Sequence, residues 1–396
     1  MRCLDPISLD EILFFVFKKG EARYKDLINE FVPRRCAKNT FLRYKIVLEN
    51  EGKLRKRISE KTGAKVYYVP EKFTWDIMTE KLLYSIGRTK LEFILWYGTG
   101  KRGDEFTLDD VTCEYSEEPL QLPPELQSAL KKTLEEKKEE AMKSTQVLDN
   151  NPHYRLLGIK PSRKVVDGRD DRKLQPHLIF APTDFYTCIA TNYSLDKRLL
   201  QDEAGHRVSI RDKYLKAHNL GDPTYLLNSQ LANSFGVALA TITEDRKIIL
   251  QKRSPQVVFG PSTMSVATAE MMVRDIDIDN DGRPSPFVTG KRCVEKELGI
   301  AIKPEDVVFL GFGVRLDYAL PQALGILRLK MNSHELSISK AIDRWEGFNF
   351  VEEFSVQTAR KYLSGSYPIS PTAKLTILLA SVNEFGFEAI ERQMIQ

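Results

Sequence analysis

The sequence predicts a multidomain α+β protein. The expectation rests on length, an uneven charge and a change of texture near Pro152. The chain has 396 residues, which at roughly 100–200 residues per domain suggests two or three domains. Residues 1–70 hold sixteen lysines and arginines against nine acidic residues, a balance of +7, while the whole chain carries +4. Everything after Pro70 therefore sums to −3. A basic module on a faintly acidic body suggests that one part meets a polyanion and the other does not. Helical patterns dominate before Pro152, and short apolar stretches bounded by turns follow it.

Several classes are excluded at the outset. No apolar run approaches the roughly 18–20 residues of a membrane helix. The start, Met1-Arg2-Cys3-Leu4-Asp5-Pro6, lacks the long apolar stretch of a secretory signal. The five cysteines (Cys3, Cys36, Cys113, Cys188, Cys293) are scattered and form no Cys-x-x-Cys pair, so neither a disulfide framework nor a zinc ribbon is indicated. The five histidines show no metal-ligand spacing. A cytoplasmic protein with no membrane partner is expected.

Residues 8–19 read as a helix, with Ser8 placed to cap it and Ile12, Phe15 and Val16 in a stripe. A second covers 23–31, with Tyr24, Leu27, Ile28 and Phe31 at core spacing. A third covers 38–51 and is stopped by Gly52. Residues 53–58 and 65–69 then form a hairpin with a basic tip. Arg34, Arg35 and Lys38 stand at the start of the third helix, where free amides favour phosphate. Asn39 and Arg43 share a face one turn apart, and both types pair with base edges in two-point fashion. Arg55, Lys56, Arg57, Lys61 and Lys65 would line the hairpin and neutralise phosphates. Three helices followed by a hairpin resemble the winged helix-turn-helix family, with Asn39 to Leu54 as recognition helix and wing. That resemblance implies a helix in the major groove and a wing on the backbone. Leu42 and Ile46 widen the apolar face of the same helix, so use as a protein adaptor or dimerisation module stays open.

Residues 71–115 read as an extension of uncertain role, with a helix over 73–86 and a strand over 91–97. Residues 116–150 read as a charged helical connector opened by Pro123-Pro124. Its Glu139 and Lys143 stand at ion-pair spacing, and Leu126, Leu130 and Leu134 form a thin stripe. It is either a solvated spacer or a short dimer coil.

Residues 151–396 carry short strands. Residues 178–191 are apolar with a turn inside. Residues 236–243 and 247–254 form a hairpin that ends in Lys252 and Arg253. A helix covers 288–298 with Gly299 as its stop, strands cover 307–314 and 324–330, and the C-terminus is helical. This mixture implies an α/β/α sandwich with insertions.

The stretches Leu231 to Ala238, Ile248 to Ser254 and Gly290 to Ile300 resemble the Nudix superfamily over about half the chain. Placed from its Gly-apolar end, the Nudix box assigns its arginine to Arg292, its apolar position to Val294 and the second of its paired glutamates to Glu297. Cys293 and Lys296 stand where acidic residues are expected, and 271–287 reads as an insertion. The resemblance implies hydrolysis of nucleoside-linked diphosphates by carboxylate-held magnesium. Mg²⁺ wants hard oxygen donors; a thiol is a poor donor and a lysine repels the ion. The expectation is therefore a Nudix-like domain that senses a nucleotide-type metabolite without hydrolysing it.

Lys252 and Arg253 are placed to grip a diphosphate, as are Arg292 and Lys296. Arg315 with Tyr318 is placed to stack a base or ribose. If hydrolysis survives, Glu297, Glu295 and Glu270 are its carboxylates and Mg or Mn its cofactor. Asp277, Asp279, Asp281 and Gly282 match the first half of a calcium loop, but Val288 stands where the last ligand belongs. The expected protein is a DNA-binding transcriptional regulator, dimeric by the two-fold habit of such readers. A magnesium-dependent hydrolase and a nucleotide-sensing interaction or defence adaptor are the alternatives.

Overall fold

The chain divides into two units, 1–82 with 216–221 and 83–215 with 222–396. The computed structural model describes residues 22–31, 41, 45, 49, 55–58, 65–68, 85–86, 89–144, 150–166, 169–202, 205–215, 227, 230–255, 257, 260–336, 347–364 and 367–395. The class is mixed α+β. Among the described residues no helix is long and apolar enough to cross a membrane.

The first unit holds helix α1 (Tyr24–Phe31) and the antiparallel pair β1 (Arg55–Ile58) and β2 (Lys65–Tyr68), in register from Arg55↔Tyr68 to Ile58↔Lys65. Ala22 bridges Tyr67 through hydrogen bonds of 2.9 and 2.8 Å, so the segment before α1 adds a rung beside the hairpin. Phe41, Lys45 and Glu49 are helical, and Lys45 pairs with Glu49 at 2.7 Å one turn on. Leu27, Phe41 and Val66 are buried together with Ala22 and Tyr67. Lys45 Nζ lies 5.2 Å from the centre of the Tyr67 ring, covering the core edge with its stem. The helix expected over 8–19 and most of the one over 38–51 lie outside the described residues.

The second unit is built on a mixed sheet of eight strands. These are β5 (Phe93–Tyr97), β11 (Gly236–Ile242), β12 (Lys247–Arg253), β13 (Met264–Val266), β14 (Thr268–Met271), β15 (Val307–Arg315), β16 (Leu320–Arg328) and β17 (Gly347–Glu353). The main path runs β13-β12-β11-β16-β15-β5; β14 also pairs β11, and β17 also pairs β12. β11 and β16 are parallel from Gly236↔Gln322 to Ile242↔Arg328. Every residue of β11 is buried, as befits a strand covered on both faces. Two-residue pairs stand apart from it: β3 (Ser85–Ile86) with β4 (Thr89–Lys90), and β9 (Leu200–Gln201) with β10 (Arg207–Val208), which the short helix α4 (Ile210–Tyr214) follows.

One face carries helices α6 (Val356–Leu363), α7 (Pro371–Phe385) and α8 (Phe387–Ile395). Leu375, Leu378 and Leu379 of α7 pack there on Leu324 and Ile326 of β16. The other face carries α5 (Pro286–Leu298) and a three-stranded sheet of β6 (Thr112–Tyr115), β7 (Pro152–Val166) and β8 (Arg169–Asp184). Phe287, Val294 and Leu298 of α5 meet Phe309, Phe180 and Leu156 in the second core. Local chemistry fixes α5: Ser285 caps it by accepting from Val288 N, Pro286 opens it, and Gly299 closes it at φ 69°. Only a residue without Cβ takes that left-handed stop without strain.

Four expectations are corrected. The boundary at 151 does not hold, because β5 pairs with β15 and β6 with β8, so residues 83–150 group with the body. Ile86, expected in a helix, lies in a strand; residues 71–84 are outside the described ones. The connector forms the expected helix, α2 (Pro124–Ser144), but its first half is packed on the body rather than a free spacer. Leu126, Ala129 and Thr133 are buried one turn apart, and the helix packs on α3 (Phe185–Ala190). The charge run 135–140 lies past Thr133 on the solvated second half of the helix, exposed all round but for the half-buried Lys137. Lastly, 178–191 has no turn: β8 runs straight into α3, whose first amides are met by Asp184, accepting from Thr187 N at 2.9 Å.

Candidate functional site

A cavity of about 540 Å³ lies within the second unit, beside the sheet end of α5, in the size range of small-molecule pockets. Four cations reach it from three elements: Arg253 at the end of β12, Arg292 and Lys296 on α5, and Arg315 at the end of β15. One carboxylate, Glu270 of β14, lies among them. Arg292 and Lys296 share a face because they are one turn apart.

Arg292 is held by a complete set of acceptors. Asp277, 0% exposed, accepts from its Nε at 2.7 Å and its Nη2 at 2.9 Å. The Met271 carbonyl also accepts from Nη2, at 3.0 Å. Its remaining nitrogen, Nη1, donates to Glu270 Oε2, while Lys296 Nζ donates to Glu270 Oε1. Burial disfavours the Arg292 charge, but the Asp277 hydrogen bond and the Glu270 and Asp277 charges outweigh it and hold its pKa above the ordinary value. Arg315 is arranged likewise. Asp317 accepts from its Nε at 2.6 Å and Nη2 at 2.5 Å, and its guanidinium lies 4.8 Å from the centre of the Tyr318 ring. Burial again opposes the charge and Asp317 overrides it, so its pKa is raised.

Aromatic side chains complete the lining. Phe185, Tyr193, Tyr318 and His153 line the cavity, and the Tyr193 and Tyr318 ring centres are 4.6 Å apart. A buried clasp sets this pair. Asn192 donates to the carbonyls of Tyr318 and Ala319 at 3.0 and 3.1 Å, and its oxygen accepts from Asn233 N at 2.9 Å. Asn233 and Ala319 both have positive φ, 45° and 49°, conformations disfavoured for side chains bearing Cβ. The clasp holds two strained turns and so fixes where Tyr318 stands.

Of the five residues expected to bind a ligand, the structure brings four into one cavity. Lys252 is left out: neighbours on a strand face opposite ways, so Arg253 lines the cavity and Lys252 is exposed. Phe312, weighed with Arg315 for stacking, is core, against Phe106 and Phe309. His153, Phe185 and Tyr193 carry no sequence signal, because they come from segments that meet only in three dimensions.

The acidic candidates scatter. Glu295 faces outward and pairs with Lys291 at 3.3 Å. Glu297 is 3% exposed and accepts from Gln251 Nε2 at 3.0 Å inside the fold. Burial pushes the Cys293 thiol well up, so it stands as a neutral core group. The Asp277 loop closes on itself: Asp277 serves Arg292 and accepts from Val273 N at 2.7 Å, while Asp279 accepts from the amides of Asp281 and Arg283 at 2.9 Å each. Asp281 pairs with Arg283 at 3.0 Å. Among the described residues no three acidic, histidine or cysteine side chains converge on a metal position. The carboxylate-held magnesium that the Nudix resemblance implies does not fit this donor set, since each glutamate is committed to a cation or an amide.

Of the DNA-binding candidates, Arg55, Lys56 and Arg57 lie on β1, and Lys65 opens β2 and is exposed. Arg34, Arg35, Lys38, Asn39, Arg43 and Lys61 lie outside the described residues. Compared with protein-family models and with curated proteins, the chain matches none.

Proposed function

We propose that the protein is a DNA-binding regulator whose second unit is a Nudix-like domain that holds a phosphate-bearing, nucleotide-type metabolite without cleaving it. The observation that carries this reading is the lining of the cavity: four cations and one carboxylate share it with the rings of Phe185, Tyr193 and Tyr318. Guanidinium groups bind phosphate oxygens in pairs, and rings give a base or ribose a surface. Cleavage would need carboxylates free to hold metal and activate water, whereas Glu270, Glu295 and Glu297 are each taken up by a cation or an amide. In the first unit, the β1–β2 hairpin tied to Ala22 and the helical face of Phe41, Lys45 and Glu49 support the winged reading. Ligand binding would then bias the arrangement of a dimer on its operator by population shift.

Two measurements test it on the full chain. Titration with inorganic pyrophosphate and with ADP-ribose should give saturable binding that weakens at least about tenfold in Arg253→Ala. A random-sequence duplex should be bound with a steep salt dependence that flattens in Arg55→Ala/Lys56→Ala. Turnover of ADP-ribose with Mg²⁺ that disappears in Glu297→Gln would overturn the sensor reading. Indifference of DNA binding to the hairpin substitutions would overturn the DNA assignment.

A further inference from the structure

The bonds around Glu270 are unequal. Arg292 is oriented without it, because Asp277 takes Nε and Nη2 and the Met271 carbonyl takes Nη2 again. What Glu270 occupies is the pair of donors that point into the cavity, Arg292 Nη1 and Lys296 Nζ, one on each of its oxygens. A single oxyanion bridging a guanidinium and an ammonium is the contact a phosphate oxygen pair would make there. Resting on the anion-site reading above, we infer that Glu270 is an internal occupant of that site, a tethered carboxylate that an incoming oxyanion must displace.

A tethered competitor sets a threshold. A singly charged carboxylate metabolite, or inorganic phosphate, offers little beyond what Glu270 already gives the two donors. A diphosphate brings more negative charge and a second group that reaches Arg253 or Arg315, which line the same cavity. Glu270 is thus a specificity residue: it excludes small monoanions and admits diphosphates. This is selection by a built-in repulsive element rather than by added attraction.

The test uses the full chain and two simple probes, inorganic phosphate and pyrophosphate, titrated calorimetrically into wild type and Glu270→Gln. In the variant, phosphate should bind at least about tenfold tighter, and the preference for pyrophosphate over phosphate should shrink by a similar factor. Glu270→Asp serves if the neutral variant does not fold: its shorter arm cannot span both donors, so phosphate affinity should rise there too. Equal or weaker phosphate binding in every folded variant, with pyrophosphate still bound by wild type, sinks the internal-occupant idea and leaves the anion site standing. No binding of either probe by wild type or variants removes the anion site, and this inference falls with it.

Discussion

Two places in the second unit gather cations around a single glutamate, and they differ in what else the cations touch. In the cavity, Arg292 and Lys296 of α5 meet Glu270. At an outer corner, Arg102, Arg246 and Arg328 surround Glu384 at 3.8, 3.4 and 3.2 Å. The corner arginines stand in solvent, with about half or more of each side chain exposed. They also finish a helix: Arg102 Nε donates to the Asn383 carbonyl at 2.9 Å, Arg328 Nη2 to Asn383 Oδ1 at 2.8 Å. Cations at the C-terminus of α7 answer its open carbonyls and its dipole. In the cavity Arg292 is backed by a buried aspartate, and it shares Glu270 with Lys296 of the last turn of α5. The same residue types finish a helix at an exposed corner and, in the cavity, stand part-buried against a fully buried aspartate, where charges interact more strongly.

The largest expected effect lies at that buried aspartate. Asp277→Asn leaves Arg292 without its two-point partner in a part-buried place. Removing one member of such a pair costs about 3–5 kcal/mol, read as a shift in the urea midpoint at unchanged slope. The same variant should lose pyrophosphate binding, because Arg292 is no longer aimed. A cost under about 1 kcal/mol would mean that burial does not separate cavity from corner.

A second effect in the same cavity concerns protons. Burial holds the His153 imidazole down at about 4, with the Asp184 charge opposing and the Arg292 charge reinforcing the shift. The ring is therefore neutral in the folded chain near pH 7. From its ordinary 6.5 down to about 4, the unfolded chain binds the extra proton and the folded chain does not. The contribution to stability is thus full above pH 6.5 and falls as pH drops toward 4, by roughly 3 kcal/mol in all. His153→Asn should flatten the stability–pH profile in that window. An unchanged slope would place His153 in contact with water.

How much of this was legible follows from what each signal depends on. The helix at α5 was read from Gly299 and from apolar spacing, and the β11–β12 hairpin from its turn; both depend on neighbours in sequence. The long strands β7 and β8 were missed because Gly158, Pro161 and Pro176 interrupt the alternation, and β17 because its partner β12 lies about a hundred residues away. In the site, Arg253, Arg292, Lys296 and Arg315 were picked out by residue type beside strand ends and on one helix face. Asp317 and the Tyr193 ring were not, since only the fold brings them there; Asp277 was singled out as part of a calcium loop, not as the partner of Arg292. Glu270 was named for the wrong reason, as a metal ligand, because sequence shows a carboxylate and not the two cations that hold it.

The smallest effect sharpens the comparison from the other side. Glu384→Gln removes the charge at the corner while keeping an acceptor for the arginines. Their remaining bonds, to the carbonyls of Asn383 and Glu384 and to the Asn383 side chain, need no ion pair. Exposed pairs contribute about 0.2–1 kcal/mol, so the loss should fall in that range and shrink by more than half in about 1 M salt, where the Debye length of about 3 Å is no longer than the pair separations. The Asp277→Asn cost should persist in the same salt, because water and ions do not reach between Asp277 and Arg292. If both costs fade together, Asp277 is screened as the corner is, and the cavity loses the dry backing that distinguishes it.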